Sequence, residues 1–343
     1  MQIFPGPRLS SDNLHRSVRI GPFTARGNVF LAPVAGYSDA AYRAVCAGEG
    51  ADLCYTEMVS SEALTRGHRK TEALLERDGV EKDYAIQLFG SSPEVMARAA
   101  LALAPWQPSI IDINCGCPVP KIVKAGAGSA LMREPSRIGE IVKAMRAALD
   151  GAGMGQVPVT VKFRLGWDES SINYLEVASI AAAAGAAALT LHARTRAQGY
   201  SGKADWSAMA RLAASTSLPV FGSGDVHSGA DARRMIEETG VAGVMIARGA
   251  MGNPFVFSEA VAVLEGREAP EPTRERKIEV ARKHLALSSR FIGERQACIE
   301  FRKQFCAYTK GEAGGANLRS EAVRATSLAD FDLLFGRWAE ASG

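Results

Sequence analysis

The stretch Ile111-Asp-Ile-Asn-Cys-Gly-Cys-Pro118 reads as a buried strand with reactive groups at its end. Apolar residues fill its start. Asn114, Cys115 and Cys117 stand at its end, where Pro118 can no longer donate to a ladder. Gly116 lets the backbone turn sharply there. Thiols and an amide in such a place serve as nucleophile, proton donor or metal ligand, and the stretch alone does not choose. Comparable strand ends recur: Lys162 after Val159-Thr-Val, His192 after Ala188-Leu-Thr-Leu, and a glycine-rich turn at Gly222 and Gly224. Several strands presenting polar residues at their C-terminal ends is how a (β/α)8 barrel builds an active site.

Short apolar runs at 29–33, 53–58, 84–88, 109–114, 159–163, 188–192, 219–221 and 243–246 complete eight strands. Helices are expected over 38–48, from Ser92-Pro93 onward, and over 135–149, 172–183, 206–214 and 229–238. The strands are near-continuously apolar instead of alternating, as burial on both faces of a parallel sheet produces. Their number favours a TIM barrel over a doubly wound open sheet, the alternative. Segment 121–132 reads as a glycine-rich loop. Composition changes near Gly266, where a Pro-rich connector leads into helical patterns over 274–291, 294–308 and 328–340. The expected organisation is α/β: a barrel over 1–267, then a small all-helical domain over 268–343. That domain either positions a partner or closes the barrel.

The 343 residues are 47% hydrophobic and 22% charged, ordinary for a folded chain, and the net charge of +3 is too small to imply a nucleic-acid partner by itself. Six scattered cysteines suit a reducing compartment. Cys115 and Cys117 lack the spacing of a zinc site, so no metal is expected. The N-terminal run has no apolar signal-peptide core, and no membrane span is expected. A cytoplasmic protein follows as the expectation.

Cys117, fixed between Gly116 and Pro118, is read as a chemical thiol, with a buried small hydrophobe as the alternative. Asn114 either hydrogen-bonds a planar heterocycle or holds the turn. Lys162 interrupts an apolar strand, so it faces a partner, a wet cavity or, by snorkelling, the sheet end. Arg164 shares its parity. Gln87 lies near the end of the third strand. His192 is followed by Arg194 and Arg196, and this loop suits an anionic ligand. Gly222-Ser-Gly-Asp225 and Ala247-Arg248-Gly249 follow strands seven and eight, where barrels commonly bind phosphate. With no Walker loop and no GxGxxG opening a βαβ unit, a phosphorylated cofactor across the barrel mouth is favoured over a Rossmann dinucleotide site.

Taken together, LAPVAGYSDAAYR (31–43), AIQLFG (85–90), IDINCGCPVPKIVKAGAGSALM (111–132), VTVKFRLGW (159–167), LHARTRAQGYSGKADW (191–206), FGSGDV (221–226) and GVMIARGAMGNPFVF (243–257) resemble the tRNA-dihydrouridine synthases, in particular their bacterial B-type branch. The resemblance runs through nearly the whole barrel and into the tail. It implies a flavin mononucleotide site at Pro33, Val34, Ala35, Gln87, Lys162, His192, Ser223, Gly224, Asp225, Ala247 and Arg248. It implies Cys117 as the proton donor and Asn114 as the residue holding uracil. NADPH would reduce the flavin, which would reduce a uridine of the tRNA D-loop, position 17 being suggested by the branch. Arg194, Arg196, Lys203, Arg302, Lys303 and Lys310 would contact tRNA across the mouth and tail. A monomer is expected. The chain departs from the family pattern at Val34, Ser223, Ala247 and Ala307, where Met, Asn, Gly and an aromatic residue are usual. The competing readings are a flavin barrel acting on free pyrimidines and an RNA-binding module on an inactive barrel.

Overall fold

The computed structural model describes residues 13–269 and 271–341. The segment 1–12, expected to hold no signal peptide, lies outside them. Eight parallel strands close into a barrel: β1 (Val29–Leu31), β2 (Leu53–Tyr55), β3 (Tyr84–Phe89), β4 (Ile110–Cys115), β5 (Val159–Arg164), β6 (Ala188–His192), β7 (Val220–Ser223) and β8 (Gly243–Ile246). Closure is made by β1, which pairs with β8 through Phe30 and Met245 and with β2 through Phe30 and Leu53. A two-residue strand, Val59–Ser60, continues alongside the end of β3.

Helices cover the outside, and their starts follow from local chemistry. Ser92 accepts from Val95 N and Pro93 opens the helix Pro93–Ala102, where a missing N–H costs nothing. Asp39, Asp205 and Ser228 cap three others in the same way. Helix Val256–Leu264 completes the barrel. A hairpin of Val18–Ile20 and Phe23–Ala25, which the sequence pattern missed, lies at the N-terminal end. Its Val18, Ile20 and Ala25 join Phe30, Tyr55 and Phe221 in one apolar cluster that plugs the barrel's lower half. Phe30 stacks on Phe221 with centroids 4.7 Å apart.

The interior changes character above that plug. Strand register sets Gln87 beside Asp112, Asp112 beside Thr160, and Asn114 beside Lys162. His192 lies beside Arg164 and Ser223. Polar residues therefore occupy the inner face of the upper half, while the outer face of the same strands packs on helices. Gly222 belongs to that outer face: a Cβ there would lie 2.5 Å from Met235 Sδ, so this glycine serves helix packing and not the phosphate approach expected of it.

Among the described residues the tail is four helices: Arg274–Ile292, Glu294–Tyr308, Gly315–Ala322 and Leu328–Glu340. Its core is aromatic, with Phe301, Phe305, Phe331, Phe335 and Trp338 all buried. Val45 and Phe255 of the barrel join this cluster. Tyr42 donates to Ala250 O and stacks on His284 at 5.3 Å, while Arg276 pairs with Glu49 at 2.6 Å. At Gly252 a Cβ would fall 2.3 Å from the Ala307 carbonyl carbon, so the barrel's last loop and this helix touch backbone to backbone. Segment 121–132, expected as a loop, holds a short helix, Pro120–Lys124, and a 3-10 turn, Gly128–Arg133.

Candidate active site

A cavity of about 460 Å³ opens at the C-terminal end of the barrel. It is lined by Pro33, Val34, Ala35, Gln87, Asn114, Cys117, Lys162, Arg164, His192, Ser223, Gly224, Asp225, Ala247 and Arg248. Every residue expected to touch the cofactor thus reaches one space, along with Tyr37, Met58, Tyr200 and His227, which sequence reasoning did not single out.

Cys117 is half-buried, and burial pushes its thiol above the ordinary range against the pull of Val119 N–H, Arg164 and Lys162. At neutral pH it is a thiol, suited to giving a proton. Cys115, two residues earlier, faces outward into the core, and burial pushes it up much further. The turn carrying Cys117 is held from two sides. Asn114 Oδ1 accepts from Gly116 N at 3.1 Å and Cys117 N at 2.9 Å. Arg164 Nε donates to Gly116 O at 2.7 Å.

Both lone pairs of the Asn114 carbonyl are therefore committed, and of the two readings of this residue the geometry favours holding the turn. Its Nδ2 donates to Gln87 Oε1 at 2.7 Å, and Gln87 Nε2 donates to Asp112 Oδ2 at 2.7 Å. Thr160 donates to Asp112 Oδ1 at 2.6 Å. Asp112 and Thr160 were missed by sequence reasoning. The signal was parity: Asp112 is two residues from Asn114 and so on the same strand face.

The site is cationic and only partly neutralised. Burial lowers the Lys162 ammonium to about 8, assisted by Arg164 and opposed by Asp112. Burial raises the Asp112 carboxyl to about 6 against its hydrogen bonds and Lys162. His192 is driven well below its ordinary value by burial and then by Lys162, Arg164, Arg194 and Arg248, so it is a neutral imidazole. Lys162 forms no side-chain hydrogen bond among the described residues.

The cations expected to face RNA divide. Arg194 does not face outward: it is 1% exposed, donates to Ser201 O and Gly202 O, and reaches both oxygens of Asp225 at 2.8 Å. It braces the mouth loop instead. Burial opposes ionisation of Asp225, but Ala204 N–H and Arg194 hold it below the usual carboxylate range. Asp225 has a left-handed φ of 58° and also accepts from Arg248 at 3.2 Å. Arg196 lies over Trp167 at 4.5 Å. Lys203 and Lys310 are exposed. Arg302 is half-buried and donates to Ala325 O. Lys303 is exposed and sits over the Tyr37 ring at 5.3 Å, which brings the tail to the edge of the cavity.

These features define a class: a (β/α)8 enzyme whose mouth accepts an anionic ligand and presents a protonated thiol. The family model for dihydrouridine synthases (Dus) matches residues 30–335. The chain belongs to that family, and is an oxidoreductase of its flavin-dependent type. It is 50% identical over 324 residues to a probable tRNA-dihydrouridine synthase of Treponema pallidum, covering 93% of this chain and 95% of the other. It is 38% identical over 305 residues to tRNA-dihydrouridine synthase B of Pseudomonas putida, covering 89% of each. Among solved structures, histamine dehydrogenase from Rhizobium sp. 4-9 superposes with a TM-score of 0.57 at 16% identity, over 81% of this chain and 51% of that one. A 2-naphthoyl-CoA reductase complex gives 0.57 at 13%, over 74% and 52%. Those two likenesses speak to the fold alone.

Proposed function

We propose that this mouth holds flavin mononucleotide and that Cys117 supplies the proton when a D-loop uridine of tRNA is reduced to 5,6-dihydrouridine. The chain is a tRNA-dihydrouridine synthase, and NADPH is the reductant we assign. The family match runs through the helical tail to residue 335, which favours a polymer over a free pyrimidine. The observation carrying the reading is a protonated Cys117 sharing one cavity with the half-buried cation Lys162.

The residues present fit the cofactor. Lys162 lines the cavity and makes no side-chain hydrogen bond among the described residues, and Arg248 lines it as well, so cationic donors face an anionic ligand there. Pro33, Val34 and Ala35, with Gln87, Lys162, His192, Ser223, Gly224, Asp225, Ala247 and Arg248, would hold it. When bound, the flavin stores a hydride between a reduced nicotinamide and the uridine ring. The protein's own part is to align the ring, exclude water and hold a proton on Cys117 Sγ for C5. Lys162 supplies positive charge where the ring gains negative charge.

The uridine leaves its stack to enter the mouth. Exposed Lys203, Lys303 and Lys310, with the outer edges of Arg196 and Arg302, would receive phosphates around it. From the resemblance of the sequence to the B-type branch, position 17 is the target we propose, acted on by a monomer in the cytoplasm. Among the described residues no helix is long and apolar enough to cross a membrane. The test is to denature the purified protein and identify what is released. The reading expects one flavin mononucleotide per chain; flavin adenine dinucleotide, or no flavin, would overturn it.

A further inference from the structure

We infer that Asp112 is a positioning residue for the proton-donating turn: it fixes the direction of a side-chain amide chain, Asp112–Gln87–Asn114, that ends on the backbone N–H groups of Gly116 and Cys117. The inference rests on the reading of Cys117 as the acid.

An amide is a directional link, because one end donates and the other accepts. The turn presents two donors, so Asn114 must offer them its oxygen. That turns Asn114 Nδ2 toward Gln87, which must answer with Oε1. Gln87 Nε2 then points to position 112, and only an acceptor satisfies it there. Thr160 also arrives as a donor, on the other oxygen. A carboxylate, which only accepts, is the group that takes both. The chain is buried: Asp112 and Gln87 are 0% and 1% exposed, so water does not replace a lost link. Leaving a buried donor unsatisfied is costly, and a broken link would free the turn that aims Sγ. Asp112 neither lines the cavity nor bonds to Cys117; it acts through the lining residues Gln87 and Asn114.

The direction of the chain can be tested by reversing one link. Asp112→Asn alone keeps an oxygen for Gln87 Nε2 and turns its amide nitrogen to the Thr160 hydroxyl, which can accept. Gln87→Glu alone sets two carboxyl groups at the 2.7 Å spacing, which keep the link only while they share a proton and break it once both ionise, so rates are compared as pH rises. In the double variant Asp112→Asn/Gln87→Glu, the amide nitrogen introduced at position 112 donates to the carboxylate introduced at position 87. That carboxylate still accepts from Asn114 Nδ2, and the amide oxygen at position 112 accepts from Thr160. Every link is restored with one of them reversed. The full-length flavin-loaded proteins are compared by rapid mixing, following flavin reduction by NADPH and flavin reoxidation by tRNA separately. Cofactor content and Cys117 alkylation rate, read by mass spectrometry, accompany them.

A small misplacement of a reacting group is worth about 10²-fold in rate. Gln87→Glu is expected to slow reoxidation by about that factor as pH rises, and the double variant to recover most of it. The Cys117 alkylation rate should depart from the parent in the single variant and return in the double. Because Gln87 lines the cavity, cofactor content is measured for every variant and rates are taken per bound flavin; in Gln87→Glu the loss in reoxidation should exceed any loss in flavin reduction. At the highest pH, a double variant no faster than Gln87→Glu overturns the inference, as does Gln87→Glu reoxidising at the parent rate there. Cys117→Ala runs beside them: if it reoxidises normally, the reading of Cys117 fails; if it is slow and the double shows no recovery, only the role of Asp112 fails.

Discussion

The upper half of the barrel and the core of the C-terminal helices both bury large side chains, yet they are built from opposite materials. The barrel buries Asp112, Gln87, Thr160, Arg164 and Arg194, each tied to named partners. The tail buries Phe301, Phe305, Phe331, Phe335 and Trp338, with Phe305 and Trp338 edge to face at 5.9 Å. Burying polar groups costs free energy unless each is matched, so a fold concentrates them where chemistry uses them. The tail carries none of that machinery and is suited to placing a partner. One of its polar exceptions, His284, stacks on Tyr42 of the barrel. His284 is lowered to about 3 by burial and by Lys303, and accepts or donates at Tyr308 Oη across 3.3 Å. Gln304 is 2% exposed with neither side-chain polar atom partnered.

The largest effect should come from the polar side. Cys117→Ala should slow uridine reduction by about 10²–10⁴-fold, the range of a general acid, while leaving flavin reduction by NADPH nearly intact. Hydride delivery to the flavin needs no proton from this thiol. Equal losses in both steps, seen by rapid-mixing absorbance, would make Cys117 structural. Cys115→Ala, which removes a core thiol, should alter neither step much.

Next comes the aromatic side. Phe305→Ala should destabilise the tail by about 3–5 kcal/mol, as for other large core truncations. If the two cores are separable, denaturant melts of the variant should lose tail helix signal before flavin is released. Simultaneous loss would show that the seam, through Tyr42 and His284, makes them one cooperative unit.

A smaller effect tests the surfaces. Lys303→Gln should reduce the log–log salt dependence of tRNA binding by about 0.7–0.9, the value of one phosphate contact. Arg194→Gln should leave that slope alone, since its guanidinium is enclosed with Asp225. The reverse result would exchange their roles.

The smallest concerns the barrel's lower end. His15 Nε2 meets Asp52 Oδ2 at 2.9 Å and Nδ1 meets Glu265 Oε1 at 3.3 Å. The Asp52 hydrogen bond, against burial, raises the imidazole above its ordinary value. The folded pKa exceeds the unfolded one, so this contribution is full below about pH 6.5 and is lost as pH rises through the folded value. His15→Gln should flatten that part of the stability profile in thermal melts taken from about pH 5.5 to about pH 8, a range that brackets the ordinary imidazole pKa. An unchanged profile would remove the clasp from the account.

The eight strands were legible because burial on both faces writes continuous apolar runs, as in Ala188–His192. Lys162 and Cys117 were legible because their chemistry is out of place at a strand end. Arg194 was misread because a cation in a loop ordinarily lies on the surface, and only the folded loop brings Asp225 to it. Asp112 was hidden inside an apolar run, where a carboxylate needs Gln87 and Thr160 from neighbouring strands to make sense. The hairpin at Val18–Ile20 is three residues a side, too short for alternation to show. Helix Gly315–Ala322 starts behind glycines that read as a break.

The most direct test of the central claim is the nucleoside content of tRNA from a strain lacking this chain, read position by position by mass spectrometry and repeated after restoring either the parent chain or Cys117→Ala. The account predicts that dihydrouridine disappears from a D-loop position, returns with the parent, and fails to return with Cys117→Ala despite normal flavin content. Dihydrouridine unchanged in the deletion strain, with no other enzyme of the family present, would contradict it.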